Sequence, residues 1–324
     1  MTERKLKVPS SGRRWSAIES PVGVRRAAMA VVLVYLVLTL APIGWIVLTS
    51  FKSESDAIAY PPKTLFEPSL VGYVNLFTSR TRLTNKQVKE LPPPDTWYEK
   101  VVREENMVIS GESPFLGRFV NSLIIAIVST IVSVSLGVVA AYAFVRLPVV
   151  GKDDQLFFIL STRFMPPVAV ALPIFLMYRQ VGLSDSYLGM ILLYTAFNVS
   201  FAVWLLKGFF ADIPKEYEEA AMVDGYTRLQ AFFRLVLPNA KAGIAATTVF
   251  CLIFAWNEYT YSLLLTSRHA QTATPYIPNI VGYGGLDWSA VAAGTTIFLI
   301  PVMVFTILLR KYLVRGVTFG AVRG

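Results

Sequence analysis

Apolar runs at least as long as the ~20 residues of helix that cross ~30 Å of hydrocarbon recur along this chain, at 27–50, 119–144, 155–178, 187–209, 241–265 and 289–312. No other feature narrows the fold as far. In lipid, backbone N–H and C=O groups have to be satisfied within the segment or in a closed barrel, and continuous apolar runs without alternation select helices. The expected fold class is all-α, a polytopic membrane helical bundle with six transmembrane helices. The 324 residues are 54% hydrophobic and 16% charged, too apolar for an ordinary soluble domain. The first run follows basic residues, as in a signal peptide, but it is too long and ends in Thr49-Ser50-Phe51-Lys52 with no small-x-small cleavage site. It therefore reads as a retained span.

A net charge of +9 would suit nucleic acid, but in an apolar chain basic residues flank the spans, and their positions argue against a nucleic-acid partner. With the N-terminus inside, the inner side holds Arg25 and Arg26, then Arg146 and Lys152, then Lys207, Lys215, Arg228, Arg234 and Lys241, and finally Arg310, Lys311, Arg315 and Arg323. The short outer connections hold Arg179 and Arg268. Both termini are therefore expected in the cytoplasm. The expected organisation is a cytoplasmic segment 1–26, a first helix 27–50, an extracytoplasmic loop with an insertion over 51–118, a core domain of helices two to six over 119–313, and a cytoplasmic tail 314–324. The long loop mixes acids with lysines and is interrupted by Pro92-Pro93-Pro94. Its residues 78–114, with Trp97-Tyr98, suit an external interface; a passive insertion, cheap in a surface loop, is the alternative.

Several chemistries have little to draw on. Cys251 is the one cysteine, so no disulfide framework or thiolate metal site can be built. His269, the one histidine, lies in a polar connection and reads as an ordinary loop residue. No metal site is expected. Gly151-Lys152 is followed by Asp153, which is not a phosphate loop. The polar residues inside the runs each leave two readings open. Asn198 either lines a solute path or hydrogen-bonds a neighbouring helix. Arg163 either faces a wet cavity or snorkels to the inner interface. Pro166 and Pro167 either break their helix beside a cavity or only kink it. Trp256, Glu258 and Tyr259 either anchor and pack at the interface or contact a solute or an external protein. Arg163, Asn198, Asn257 and Glu258 are the candidate path residues.

The stretch Ile213 to Pro238 lies between the fourth and fifth runs. Pro214 suits a first helical turn, and Glu216, Glu218 and Glu219 suit the positive end of a helix dipole. Gly225 lets the chain turn with positive φ. A helix-turn-helix outside the bilayer is expected, and on these features alone it is either a functional element or a plain surface loop.

Glu219-Ala220-Ala221, Gly225 and Leu235-x-Leu237-Pro238, at this spacing, resemble the EAA loop of ABC-importer permeases. Ala140-Ala141-Tyr142-Ala143-Phe144, Met165-Pro166-Pro167, Gly182-Leu183, Trp256-Asn257-Glu258-Tyr259 and the tail Arg315-Gly316 with Gly320 to Gly324 resemble the maltose-type second permease of carbohydrate importers. Residues 78–114 depart from it, since relatives have a shorter loop there. The resemblance implies a type I ABC-importer permease architecture in a bacterial inner membrane, importing a sugar or sugar-like solute by alternating access. Its implied partners are a second permease, two ATP-binding subunits that hold ATP and Mg, and an extracytoplasmic solute-binding protein, with no cofactor and no catalysis on this chain. Residues 211–238 would be the coupling loop. Glu219 would pair with a basic residue of the ATPase, Ala220 and Ala221 would permit close approach, Gly225 would set the turn, and Asp224, Leu237 and Pro238 complete the motif. The rivals are an ion-driven secondary transporter, against which the absence of inverted repeats speaks, and a membrane enzyme, for which paired catalytic motifs are lacking.

Overall fold

The computed structural model describes residues 22–104, 106–282 and 285–318. Most of the expected N-terminal segment and the tail from residue 319, with Gly320 to Gly324, lie outside the described residues. The chain divides into two units, Met1–Leu48 and Thr49–Gly324. The first contributes helix α1 (Val22–Thr49), apolar on all sides and without a buried residue. Its Thr39 donates its hydroxyl to the Tyr35 carbonyl at 2.8 Å, so this polar group is satisfied within the helix, as a hydrocarbon surround demands.

The second unit opens with a small subdomain over the expected loop. Helix α2 (Val71–Phe77) leads into strand β1 (Thr78–Arg82); helix α3 (Trp97–Glu104) and strand β2 (Met107–Glu112) follow. The two strands pair antiparallel, with an irregularity between Ser79 and Arg80. Val74, Val102 and Met107 form a core of their own beneath the hairpin. Such short strands carry too few alternations to stand out in a sequence ruled by apolar runs.

The membrane part comprises α4 (Phe115–Arg146), α5 (Lys152–Ser161), α6 (Pro167–Gln180), α7 (Tyr187–Ala211), α8 (Glu216–Val223), α9 (Lys241–Trp256), α10 (Thr260–Leu265) and α11 (Trp288–Thr318). Among the described residues, four unbroken helices are long and apolar enough to cross a membrane, and two bent pairs bring the number to six. Lys152–Phe164 and Pro167–Gln180 meet at 93°, so the run 155–178 is a broken helix and not a kinked one. The cause is local. Pro166 has no N–H to donate and drives Met165 out of the helical basin, to ψ 125. The run 241–265 is also divided, α9 ending at Trp256 and α10 starting at Thr260.

Small side chains let α4 and α7 approach. Ser129, Ser133 and Ala141 on one helix and Ala202 on the other are fully buried, and such residues are what brings helix backbones together where water supplies no driving force. One apolar cluster surrounds Phe115, Ile125, Tyr194, Trp256 and Phe298. A second gathers Val138, Ala202, Leu206, Phe210, Phe232 and Val236, which extends the bundle into the segment after α8. Trp256 belongs to the packing of the first cluster: it stacks on Phe298 with centroids 4.5 Å apart and donates its indole N–H to the Phe298 carbonyl at 3.2 Å.

The connection between α6 and α7 is fastened to the residues after α10. Asp185, at φ 51, accepts backbone N–H groups of Ser267, Arg268, His269 and Ala270 at 3.0–3.2 Å. Partial burial works to raise the Asp185 pKa, but those amides outweigh it and hold it at about 2. The carboxylate stays charged across the physiological range, and His269 contributes a backbone amide to its staple.

Candidate functional site

Lys215 stands at the start of α8, with Glu216, Glu218 and Glu219 in the first turn, where the exposed amides favour negative charge. The helix closes through two backbone bonds, Tyr226 N–H to the Ala221 carbonyl at 3.0 Å and Gly225 N–H to the Met222 carbonyl at 3.2 Å. That pattern requires a left-handed residue between them, and Gly225 supplies it at φ 91. Thr227 and Gln230 then form a reciprocal capping box that opens the next helical turn. The chain passes through a widened π turn, Phe232–Val236, before Leu237–Asn239; Pro238 has no N–H to continue an α ladder.

The two adjacent acids of α8 take opposite directions. Glu218 is buried. Its carboxylate forms an ion pair with Nε of Arg146 and accepts the Tyr142 hydroxyl at 2.8 Å. Arg146 also donates Nη2 to the Ile213 carbonyl at 2.7 Å. Tyr142 and Arg146 lie one turn apart on one face of α4, and the Tyr142 ring rests 4.6 Å from that of Phe232. The end of α4 thus grips both halves of the segment. Glu219 and Ala220 are exposed, as are Asp224, Gly225 and Pro238; Ala221 is buried and Leu237 half-buried. Glu218, Arg146 and Tyr142 are the residues that sequence reasoning missed. The only local signal is the one-turn spacing of Tyr142 and Arg146, and nothing in the sequence points that pair at residue 218.

The polar residues of the spans meet at a cavity of about 270 Å³ where α6, α7 and α9 converge, lined among others by Arg163, Met165, Pro167, Tyr194, Asn198 and Glu258. Arg163 sits over the Phe254 ring, 4.3 Å from its centroid, a cation–π arrangement. Glu258 accepts the Tyr194 hydroxyl at 2.8 Å and the backbone N–H groups of Tyr261 and Ser262 at 2.8 and 3.1 Å, so it caps α10 as well as facing the cavity. Asn198 lines the cavity and also donates its amide to the Cys251 carbonyl at 3.1 Å, joining α7 to α9. Asn257 is not brought to this place. It is exposed, not among the lining residues, and its amide returns to the Ile253 carbonyl at 2.9 Å. Among the described residues no group of three or more His, Cys, Asp or Glu is placed to hold a metal.

Residues 133–319 match the family described as "Binding-protein-dependent transport system inner membrane component". A probable ABC transporter permease protein, y4oR, of Sinorhizobium fredii is 30% identical over 88% of this chain and 90% of its own length. The chain belongs to this permease family. The trehalose transport system permease protein SugB of Mycobacterium tuberculosis is 35% identical over 65% of this chain and 78% of its own. In architecture the permease is similar to a chain of a bacterial ABC transporter involved in alginate import, with a TM-score of 0.65 at 21% identity, covering 90% of this chain and 96% of that one. The protein is a multi-pass membrane permease subunit of the carbohydrate ABC-importer type, with the type I fold. The family match takes in the segment 213–238 and the residues around the cavity, whereas the β1–β2 hairpin lies ahead of it.

Proposed function

We propose that this permease carries a sugar or sugar-like solute inward by alternating access, driven through α8 by separate ATP-binding subunits. The observation that carries this reading is the division of the two acids: Glu218 fastens α8 to α4, while Glu219 and Ala220 remain exposed on the other side. A partner that grips the exposed side moves α4 with it, since the buried side is ion-paired, hydrogen-bonded and packed. Two ATP-binding subunits, holding ATP and Mg, a second permease and an external solute-binding protein complete the assembly, and this chain binds no cofactor. The cargo class follows from relatives named for trehalose, trehalose/maltose and diacetylchitobiose transport. The cavity around Arg163, Asn198 and Glu258 suits a passing solute, with aromatic rings for sugar faces and polar groups for hydroxyls. Asn257 has no part in it.

Lys and Arg placement supports cytoplasmic termini in a bacterial inner membrane, with α8 inside and the hairpin subdomain outside. A cysteine placed at Asp95 is expected to react with a membrane-impermeant thiol reagent in intact cells, and one placed at Asp224 is not. The reverse pattern would overturn the orientation. Function itself is tested by uptake. Vesicles holding the assembled complex and its binding protein are expected to accumulate labelled trehalose or maltose with ATP and without an ion gradient. Accumulation that follows an ion gradient without ATP would make the protein a secondary transporter.

A further inference from the structure

The hairpin subdomain is mounted on α11 more firmly than a passive insertion requires. Arg80 of β1 donates Nη2 to Oδ2 of Asp287 at 2.9 Å, and both side chains are buried. Asn75 donates to the same oxygen at 2.9 Å. The other oxygen accepts the Ala290 N–H at 2.9 Å, inside the first turn of α11. Helix α2 lies so close to that turn that a Cβ on Gly72 would stand 2.6 Å from the Ser289 carbonyl oxygen. Hairpin, α2 and the start of α11 therefore form one rigid body, because each polar atom of Asp287 is committed and no side chain separates the backbones.

A cavity of about 430 Å³ opens at this junction, with Thr78, Arg80, Arg82, Tyr276 and Asn279 among its lining. Strand period two sets Arg80 and Arg82 on the same face of β1. The described lining contributes two guanidinium groups, hydroxyls and amides, and no carboxylate. Guanidinium pairs carboxylate through two parallel hydrogen bonds, so the chemistry that fits is an acidic side chain presented from outside. Trp97 and Tyr98 of the same subdomain are exposed and in edge contact at 5.8 Å, and exposed aromatic pairs are what protein interfaces use as anchors. Guanidinium groups and an aromatic anchor on one rigid body suit a protein partner better than a free solute.

We propose that this cavity receives an Asp or Glu side chain of the external solute-binding protein, making the insertion a docking element of this permease. The proposal rests on the importer reading above. The experiment follows the ATPase activity of the complex, reconstituted in vesicles, as its binding protein is titrated at low and high salt. With Arg82→Glu the half-saturating concentration is expected to rise about tenfold or more and its salt dependence to weaken, while Arg82→Lys, which keeps the charge, stays close to wild type. An unchanged half-saturating concentration and salt dependence in Arg82→Glu would overturn the proposal and leave the importer reading intact. Stimulation of the wild-type complex by free glucuronate without binding protein would assign the cavity to a small acid and overturn it as well. A wild-type complex that no binding protein stimulates would overturn the importer reading itself.

Discussion

Complexes carrying Glu219→Ala or Gly225→Val are expected to keep their membrane helices inserted and to lose most ATP-coupled uptake. Glu219 is exposed on α8, outside the hydrocarbon, so its loss leaves the bundle untouched. Removing one partner of a charge pair that becomes desolvated in a complex costs ~2–5 kcal/mol, roughly 30-fold or more in affinity. Gly225 stands at φ 91 with nothing within 4 Å of a built Cβ, so valine meets no neighbour there and its whole cost is backbone strain. For a β-branched residue that strain is about 1–2 kcal/mol or more, enough to undo the turn that ends α8. Gly225→Asn, which tolerates positive φ, is expected to be much milder. The measurements are uptake per ATP hydrolysed and retention of the ATP-binding subunits through purification. Wild-type values for both Glu219→Ala and Gly225→Val would remove this segment as the coupling element.

Arg146→Met is expected to do damage of a different kind. It leaves the Glu218 carboxylate buried beside Tyr142 with its counter-charge gone, and breaking a buried pair in this way costs about 3–5 kcal/mol. The purified protein should melt at a clearly lower temperature, and transport should fall with the amount of folded protein. Adding Glu218→Gln to Arg146→Met is expected to recover much of the loss, because a neutral amide still accepts the Tyr142 hydroxyl without demanding a cation. Equal melting temperatures for wild type and Arg146→Met would show that the pair does not hold α8 to α4. Full recovery of stability without recovery of uptake would separate the mechanical role of the pair from its contribution to folding.

The two substitutions lie on different sides of what a sequence makes legible. Gly225 and Pro214 announce themselves because a turn and a first helical turn are local events, decided by the backbone freedom of one residue. The same holds for the broken helix at Pro166 and Pro167, where the missing N–H and the constraint on Met165 act on neighbours in the chain. Even there the degree was not legible. A kink and a 93° break use the same prolines, and the choice depends on the helices that receive the two pieces. Asn257 and Glu258 are adjacent and equally polar, yet one turns to the surface and the other caps α10 beside the cavity, a difference in helical phase that no composition records.

By itself the sequence determined that the chain is a bundle of membrane helices, because apolar length and the need to satisfy backbone groups in hydrocarbon leave no other choice. It also determined the helix-turn-helix over 213–238, because caps and turns depend on residues a few positions apart. Only the tertiary structure decided which acid of α8 faces inward, that Asp185 staples residues 267–270, and that Arg80 locks the hairpin to Asp287. The partners in these pairs are 72, 82 to 85 and 207 positions apart. The physical reason is that a charge selects its partner by proximity in space after the apolar helices have packed, and a one-residue change in helical phase, about 100°, exchanges a buried carboxylate for an exposed one.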